Sequence, residues 1–454
     1  MRRVAEIAAP WRDPLEALSA LAEEPWALGL LSGGGGRRGR WSYVAARPTR
    51  TLTVRSGEPS DPFAALAALI PEGERLEAGP PFQGGVAGLA AYELGAKAQD
   101  LALPAHPDWP DLACALYPAV LAFDHERREL RAIGRGETPE AALSRARALL
   151  AASEGASGTR RSGPLTQAAL RASDPARYEA AVAEVVGRIA AGEIFQANIA
   201  RAWTGRLGPG VSPLDLMAAL AKASPAPFAA YLRLPGAAVV SNSPERFIAL
   251  RRTSQGLTAE TRPIKGTRPR GADAAQDARL AAELSASAKD RAENLMIVDL
   301  MRNDLARVCQ PGSVKTPELF AIESFANVHH LVSTVTGRLA EGQGTAELLR
   351  AAFPPGSITG APKIQAMKVI AALEPPRGPY CGSIFWAGAD GAFDSSVLIR
   401  TAALLEDPEG WRVEARAGAG IVADSQPEAE RAETEAKVAA LRAALEGPSL
   451  AAAS

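Results

Sequence analysis

The densest chemistry in the chain lies in Asp290-Arg291-Ala292-Glu293-Asn294-Leu295-Met296-Ile297-Val298-Asp299-Leu300-Met301-Arg302-Asn303-Asp304-Leu305. Helical spacing puts Asp290, Glu293 and Asn294 on one polar edge and predicts that Leu295, Val298 and Leu305 are buried. Alone, such an edge is a solvated helix face. A second acidic stretch closes the chain, where Glu430 and Glu433 are spaced i, i+3 and Glu433 precedes Lys437 at i, i+4. Two helices that each offer carboxylates can together hold one Mg2+, which takes a few carboxylate oxygens and completes its shell with water and an anionic substrate.

Lys265 stands in Arg262-Pro263-Ile264-Lys265-Gly266-Thr267-Arg268, with Arg270 and Arg252 nearby, in a chain whose 50 basic residues are mostly arginine. A lysine kept among arginines points to an amine that must lose its proton. Neighbouring cations disfavour the ammonium form, the route by which a lysine becomes a nucleophile near neutral pH. Two glycine segments follow, Gly356-Ser357-Ile358-Thr359-Gly360-Ala361-Pro362-Lys363 and Gly418-Ala419-Gly420. The first is no Walker A loop, because its lysine is misplaced and no Ser or Thr follows it. It opens a predicted helix over 363–373 with Pro362 in the first turn and Ile364, Met367, Ile370 and Leu373 on the buried face. Free amides at such a start favour a carboxylate. Gly34, Gly36 and Gly39 match G-x-G-x-x-G but run into the strand pattern Trp41-Ser42-Tyr43-Val44, where a dinucleotide site needs a helix, so they read as a loop.

The elements that must carry these residues fall on either side of a linker. Residues 1 to about 135 are short apolar segments broken by Gly and Pro, with strands expected at 41–45 and 50–54. A helix is expected at 138–152, after which Ser153-Glu154-Gly155-Ala156-Ser157-Gly158 suits neither helix nor strand. The expected organisation is therefore an N-terminal region over 1–152, a linker over 153–170 and a catalytic region over 171–447. Ser173-Asp174-Pro175 reads as a helix start, with later strands at 237–241, 397–405 and 411–415 and helices at 278–308, 363–373 and 427–446. Strands this irregularly spaced favour an α+β fold with antiparallel sheets over a doubly wound one.

Composition excludes several function classes. The 50 Lys plus Arg are matched by 51 Asp plus Glu, whereas a nucleic-acid binder carries a basic surplus. Met1 to Arg12 holds neither a secretory apolar region nor a membrane span, so a cytoplasmic protein with no membrane partner is expected. Cys114, Cys309 and Cys381 are far apart, and His106, His125, His329 and His330 are too scattered for a histidine-rich metal centre.

Together the ordered motifs resemble the chorismate-utilising family, which includes anthranilate, aminodeoxychorismate, isochorismate and salicylate synthases. The resemblance is dense from about 175 to 440. Upstream, Pro81-Phe82-Gln83-Gly84-Gly85-Val86-Ala87-Gly88-Leu89 and Tyr92-Glu93-Leu94-Gly95 resemble the N-terminal region of the amino-transferring members. It implies two stacked antiparallel sheets with helices outside. It implies Mg2+ on Glu293 and Glu433, with Asp290 and Glu430 acting through water, and a chorismate pocket lined by Tyr380, Arg400, Lys437 and the Gly418, Ala419 and Gly420 amides. Ser357 stands where anthranilate-forming members tend to have Thr. His330, in His329-His330-Leu331-Val332-Ser333, matches an active-site histidine, and Glu245 matches the acid that serves the departing carbon 4 hydroxyl.

Two positions separate the branches. Anthranilate-forming members carry Ala at the place of Lys265, and the isochorismate and salicylate branch has a lysine where this chain has Gln196. Both imply amination of chorismate at carbon 4, with Lys265 as covalent nucleophile, on the route to 4-aminobenzoate and folate. The three cysteines lie outside a glutamine amidotransferase context, so the resemblance implies ammonia from a separate glutaminase subunit. Some relatives also hold tryptophan in the N-terminal region; the segment Ser32 to Arg40 leaves that question open. The nearest competing reading is an anthranilate-forming enzyme and the farthest a non-catalytic scaffold, which is disfavoured because each matched acidic or basic position holds a competent residue.

Overall fold

The computed structural model describes residues 1–33, 39–155, 163–324 and 328–451. Gly34 and Gly36 of the glycine-rich loop and residues 156–162 of the expected linker lie outside the described residues. The fold is α+β, built on a 12-stranded and a 10-stranded sheet whose neighbouring strands run antiparallel. Both sheets draw strands from either side of residues 153–170. In the larger, Leu28–Leu31 pairs with Phe228–Leu234; in the smaller, Gly85–Ala90 pairs with Ser383–Gly388.

Period-2 patterning explains the stacking. Along Ser383–Gly388, Ile384 and Trp386 enter a cluster shared with Leu28, Tyr43, Leu232 and Val239 of the other sheet. Phe385 and Ala387 enter a second cluster with Ile297, Met301 and Leu305 of the helix Ala288–Ala306. The outer face of the larger sheet is covered by helices including Pro139–Ala152 and Pro213–Ala223, whose Leu149 and Leu220 join its core. Four layers result, helix, sheet, sheet, helix.

Several elements match the sequence reading closely. Strands Trp41–Ala45 and Arg50–Val54 form as expected, as do Pro139–Ala152, capped by Thr138, and Pro175–Ala190, capped by Asp174 with Pro in the first turn. Others differ for physical reasons. The single helix expected over 278–308 is two, Ala274–Ala286 and Ala288–Ala306. Ser287 adopts an extended conformation between them and its side chain accepts from the Asp290 amide. The strand expected at 397–405 begins only at Thr401, because Arg400 takes a positive φ of 52° that ends an extended run.

Two burial expectations are also inverted. Leu295 is exposed, while Asn294 is wholly buried, donating to the Pro263 and Leu331 carbonyls and accepting from the Ser333 hydroxyl. In the helix Lys363–Leu373, Ile364 is exposed and Lys363 is buried instead. Among the described residues, no helix is long and apolar enough to cross a membrane.

Candidate active site

Lys265 lies in the strand Ile264–Pro269, whose pairing with Val328–Arg338 slips by one residue between Lys265 and Thr267. Gly266 is the extra residue. It has a φ of 77°, and a Cβ there would meet the Asp290 carboxyl carbon and Leu284 at 2.8 Å. Only glycine serves at this bulge, which re-aims the strand so that Lys265 and Thr267 both border one cavity of about 660 Å³.

That cavity collects most of the expected site. Glu245, Lys265, Asp290, Glu293, His330, Ser357, Tyr380, Arg400, Gly418, Gly420, Glu430, Glu433 and Lys437 all line it. The strand Gly410–Ile421 turns Gly418 and Gly420 toward it. A Cβ at Gly418 would fall 2.7 Å from Asn198 Oδ1, and one at Gly420 would fall 3.0 Å from Gln196 Nε2 and 3.6 Å from Lys265 Nζ. The glycines thus leave room where side chains would fill the site. Ala419 is the exception, turned by strand alternation into the cluster with Ile199 and Ile421 behind the wall. Gln196 is buried beneath Gly420 rather than on the wall, and its amide oxygen and nitrogen have no hydrogen-bond partner.

The two histidines separate cleanly. His329 is buried between Ser324 and Asp277, with both ring nitrogens in hydrogen bonds. His330 faces the cavity and bonds the Thr267 hydroxyl at 3.0 Å.

Electrostatics sets the chemistry. Burial lowers the Lys265 pKa below that of an ordinary lysine, against the opposing pull of Glu293, whose carboxylate is 3.9 Å away. Burial raises the Glu245 pKa, opposed first by a 2.9 Å hydrogen bond from Ser357 and then by Lys265, Arg400 and Lys437. The two directions run toward each other, the Lys265 ammonium made easier to deprotonate and the Glu245 carboxyl harder to ionise. Glu245 is fixed by its backbone, since its amide donates to Ser243 Oγ and its carbonyl accepts from Val397.

The four candidate metal carboxylates come from the helix Ala288–Ala306 and from the helix Pro427–Ala451. Lys437 bridges Glu433 at 2.5 Å and donates to the Gly418 carbonyl at 2.9 Å. Glu430 has a raised pKa through burial, with Glu433 adding repulsion against the pull of a Ser425 hydrogen bond. Among the described residues no three such ligand groups form a ready-made cage. Hard oxygen donors, few per helix and facing an open cavity, fit Mg2+, which keeps waters and takes oxygens from its substrate.

Sequence reading missed Asn198, Lys289 and Arg416 on the wall. Asn198 carried a usable signal, since it lies two residues after Gln196 and strand alternation puts both on one face. A separate cavity of about 120 Å³ is lined by Trp41, Tyr43, Trp386 and Asp394.

A family model described as chorismate binding enzyme matches residues 31–443, and the chain belongs to that family. It is 42% identical to aminodeoxychorismate synthase component 1 of Klebsiella aerogenes, over 96% of this chain and 97% of that protein. It is 39% identical to anthranilate synthase component 1 of Thermus thermophilus, over 95% of each. The solved structure of anthranilate synthase component I from Streptococcus pneumoniae superposes with a TM-score of 0.77 at 26% identity, covering 90% of this chain and 93% of that one.

Proposed function

We propose that this chain is the synthase subunit that aminates chorismate at carbon 4, using ammonia released by a separate glutaminase subunit. The carrying observation is the Lys265 amine, set into the cavity by the Gly266 bulge and held below its ordinary pKa, with Glu245, whose pKa is raised by burial, on the same cavity wall. The 42% identical aminodeoxychorismate synthase relative supports the same branch.

The residues account for a balanced exchange. The Lys265 lone pair forms a bond to carbon 2 of the ring, the ring double bonds shift, and the carbon 4 hydroxyl leaves as water with the Glu245 proton. Ammonia then forms its bond at carbon 4, the shift reverses, and Lys265 departs from carbon 2 with its electron pair. The Glu245 carboxylate takes up the proton that the new amine sheds. Arg400 and the Gly418 and Gly420 backbone orient the substrate's carboxylates. Glu293 and Glu433 would hold Mg2+, with Asp290 and Glu430 acting through water. When bound, the ion supplies charge neutralisation at the ring carboxylate.

The three cysteines are buried, and burial pushes the Cys309 thiol up to about 11 and the Cys381 thiol up to about 12, which suits structural thiols rather than glutaminase nucleophiles. For the open question of tryptophan binding, we propose the cavity beside Trp41, Tyr43 and Trp386 as the place it would occupy; equilibrium dialysis with labelled tryptophan tests this, and no retention, or retention unchanged in Trp41→Ala, would refute it.

The deciding experiment is product identification by mass spectrometry from chorismate, ammonium and Mg2+. The expected product is 4-amino-4-deoxychorismate, with no turnover on glutamine until a glutaminase subunit is added. Anthranilate as the sole product would overturn the carbon 4 assignment.

A further inference from the structure

Behind the cavity lies a buried cation that takes no part in its wall. Arg377 is 2% exposed and forks onto Glu374, with Nη2 donating to Oε1 at 2.9 Å and Nε to Oε2 at 3.1 Å. A guanidinium taken out of water is costly without such a pairing. Its other contacts reach two strips of the site. Nη2 donates to the Asn198 carbonyl at 2.6 Å and Nη1 to the Ile358 carbonyl at 3.3 Å, while Glu374 accepts from the Ala200 amide at 2.7 Å. Asn198 is on the cavity wall, and Ile358 directly follows Ser357.

The backbone of Arg377 is held from the N-terminal part of the chain. Glu93 accepts from the Arg377 amide at 2.6 Å and from the Gly378 amide at 3.0 Å, and the Tyr92 amide donates to the Gly378 carbonyl at 2.8 Å. The Tyr92 ring centre lies 4.7 Å from the guanidinium carbon. The segment Tyr92-Glu93-Leu94-Gly95, which has no side chain in the cavity wall, is thus the outer strut of this assembly.

We propose that Arg377 is a positioning residue for Glu245: by tying the Ile358 carbonyl to the strand of Asn198, it fixes Ser357 where its hydroxyl donates to the Glu245 carboxyl. The amination reading supplies what Glu245 does; the positioning rests on the contacts above. Lysine cannot replace Arg377, because a single ammonium cannot reproduce a planar fork that serves one carboxylate and two carbonyls at once. Loosened, Ser357 donates less well, the charged form of Glu245 loses support, and its carboxyl holds its proton to higher pH. The other charged groups facing Glu245 are Lys265, Arg400 and Lys437, all left in place by Arg377→Lys, which also conserves charge.

The test is an NMR titration of the Glu245 carboxyl in the full chain labelled with 13C-glutamate, the signal being identified by its loss in Glu245→Gln. Ser357→Ala and Arg377→Lys are each expected to raise the midpoint by about half a pH unit or more. The double variant should match Ser357→Ala alone, since both changes act through one hydrogen bond. A midpoint in folded Arg377→Lys that stays at the wild-type value, or shifts that simply add in the double variant, would overturn the proposal. Should Arg377→Lys fail to fold, Glu93→Gln releases the strut from outside; it should move the midpoint the same way, and an unmoved midpoint there is equally decisive. Failure of the wild type to turn over chorismate would count against the amination reading and leave the titration result standing.

Discussion

Two lysines of this chain, Lys363 buried and Lys265 half-buried, are both lowered in pKa by the burial they have, yet their surroundings differ. Lys363 donates to Asp304 and to the Ala352 carbonyl, each at 2.6 Å, on a helix start that packs against the helix Ala288–Ala306. Asp304 is itself pushed up to about 6 by burial, against the pull of Lys363. Lys265 borders an open cavity, and its ion-pair partner Glu293 stands off at 3.9 Å. The first lysine has two partners at hydrogen-bond distance and closes a seam. The second is partly desolvated and loosely paired, so its ammonium gives up a proton more readily than an ordinary lysine. Burial alone therefore does not mark a reactive amine; the covalent role proposed for Lys265 rests on partial burial together with an unfilled coordination.

The largest expected effect separates the two directly. Lys265→Ala should lower amination by roughly a thousandfold or more while leaving thermal unfolding nearly unchanged, and Lys265→Arg should not rescue it, because a guanidinium keeps its proton. Mass spectrometry of quenched wild-type enzyme should find a substrate adduct on the peptide bearing Lys265. Full activity in Lys265→Ala would collapse the distinction.

Lys363→Met should do the reverse in kind. Removing one member of a buried pair leaves Asp304 uncompensated, at a cost of about 3–5 kcal/mol in denaturant unfolding, and Asp304→Asn in the same chain should recover part of it. Normal stability with lost turnover would make Lys363 a chemical residue after all. A smaller effect is expected at the carboxylates: Glu293→Gln or Glu433→Gln should raise the Mg2+ concentration for half-maximal rate by roughly tenfold, measured by metal titration. An unchanged Mg2+ requirement would remove that residue from the metal site. The smallest effect concerns the thiols. Alkylation under native conditions should leave ammonium-dependent turnover by this chain unchanged, because its three cysteines are buried; a loss of that turnover would place one of them in the chemistry.

What the sequence could and could not disclose follows the same division. That Glu245, His330, Ser357 and Arg400 line one cavity with Lys265 was legible only through the resemblance to a family that carries them in matching segments; Lys265 alone was also singled out by its own neighbours. Asn294 and Lys363 were misjudged because a polar group inside a fold is settled by distant partners, here Ser333 and Asp304, which local periodicity does not contain. The break at Ser287 had no Gly or Pro to announce it. Arg400 gave no sign of its positive φ, since no feature of arginine favours that region. Arg377 escaped notice for a further reason: its role lies in carbonyls from two remote strips, and an isolated arginine shows none of that. The overall layering was readable at the level of fold class, whereas the interleaving of both halves in each sheet depends on pairings across most of the chain.

That interleaving shapes how the protein must come into being. The strand Gly85–Ala90 finds one neighbour early, in Leu112–Tyr117, but its other edge waits for Ser383–Gly388. At about 5–20 residues per second of synthesis, roughly 300 intervening residues mean a delay on the order of 15–60 s. Through that interval an apolar strand edge is presented to the crowded interior of a cell, open to pairing with any other extended chain. The nascent polypeptide is thus a natural client for chaperones, and neither half, expressed without the other, has the neighbours its own central strands require.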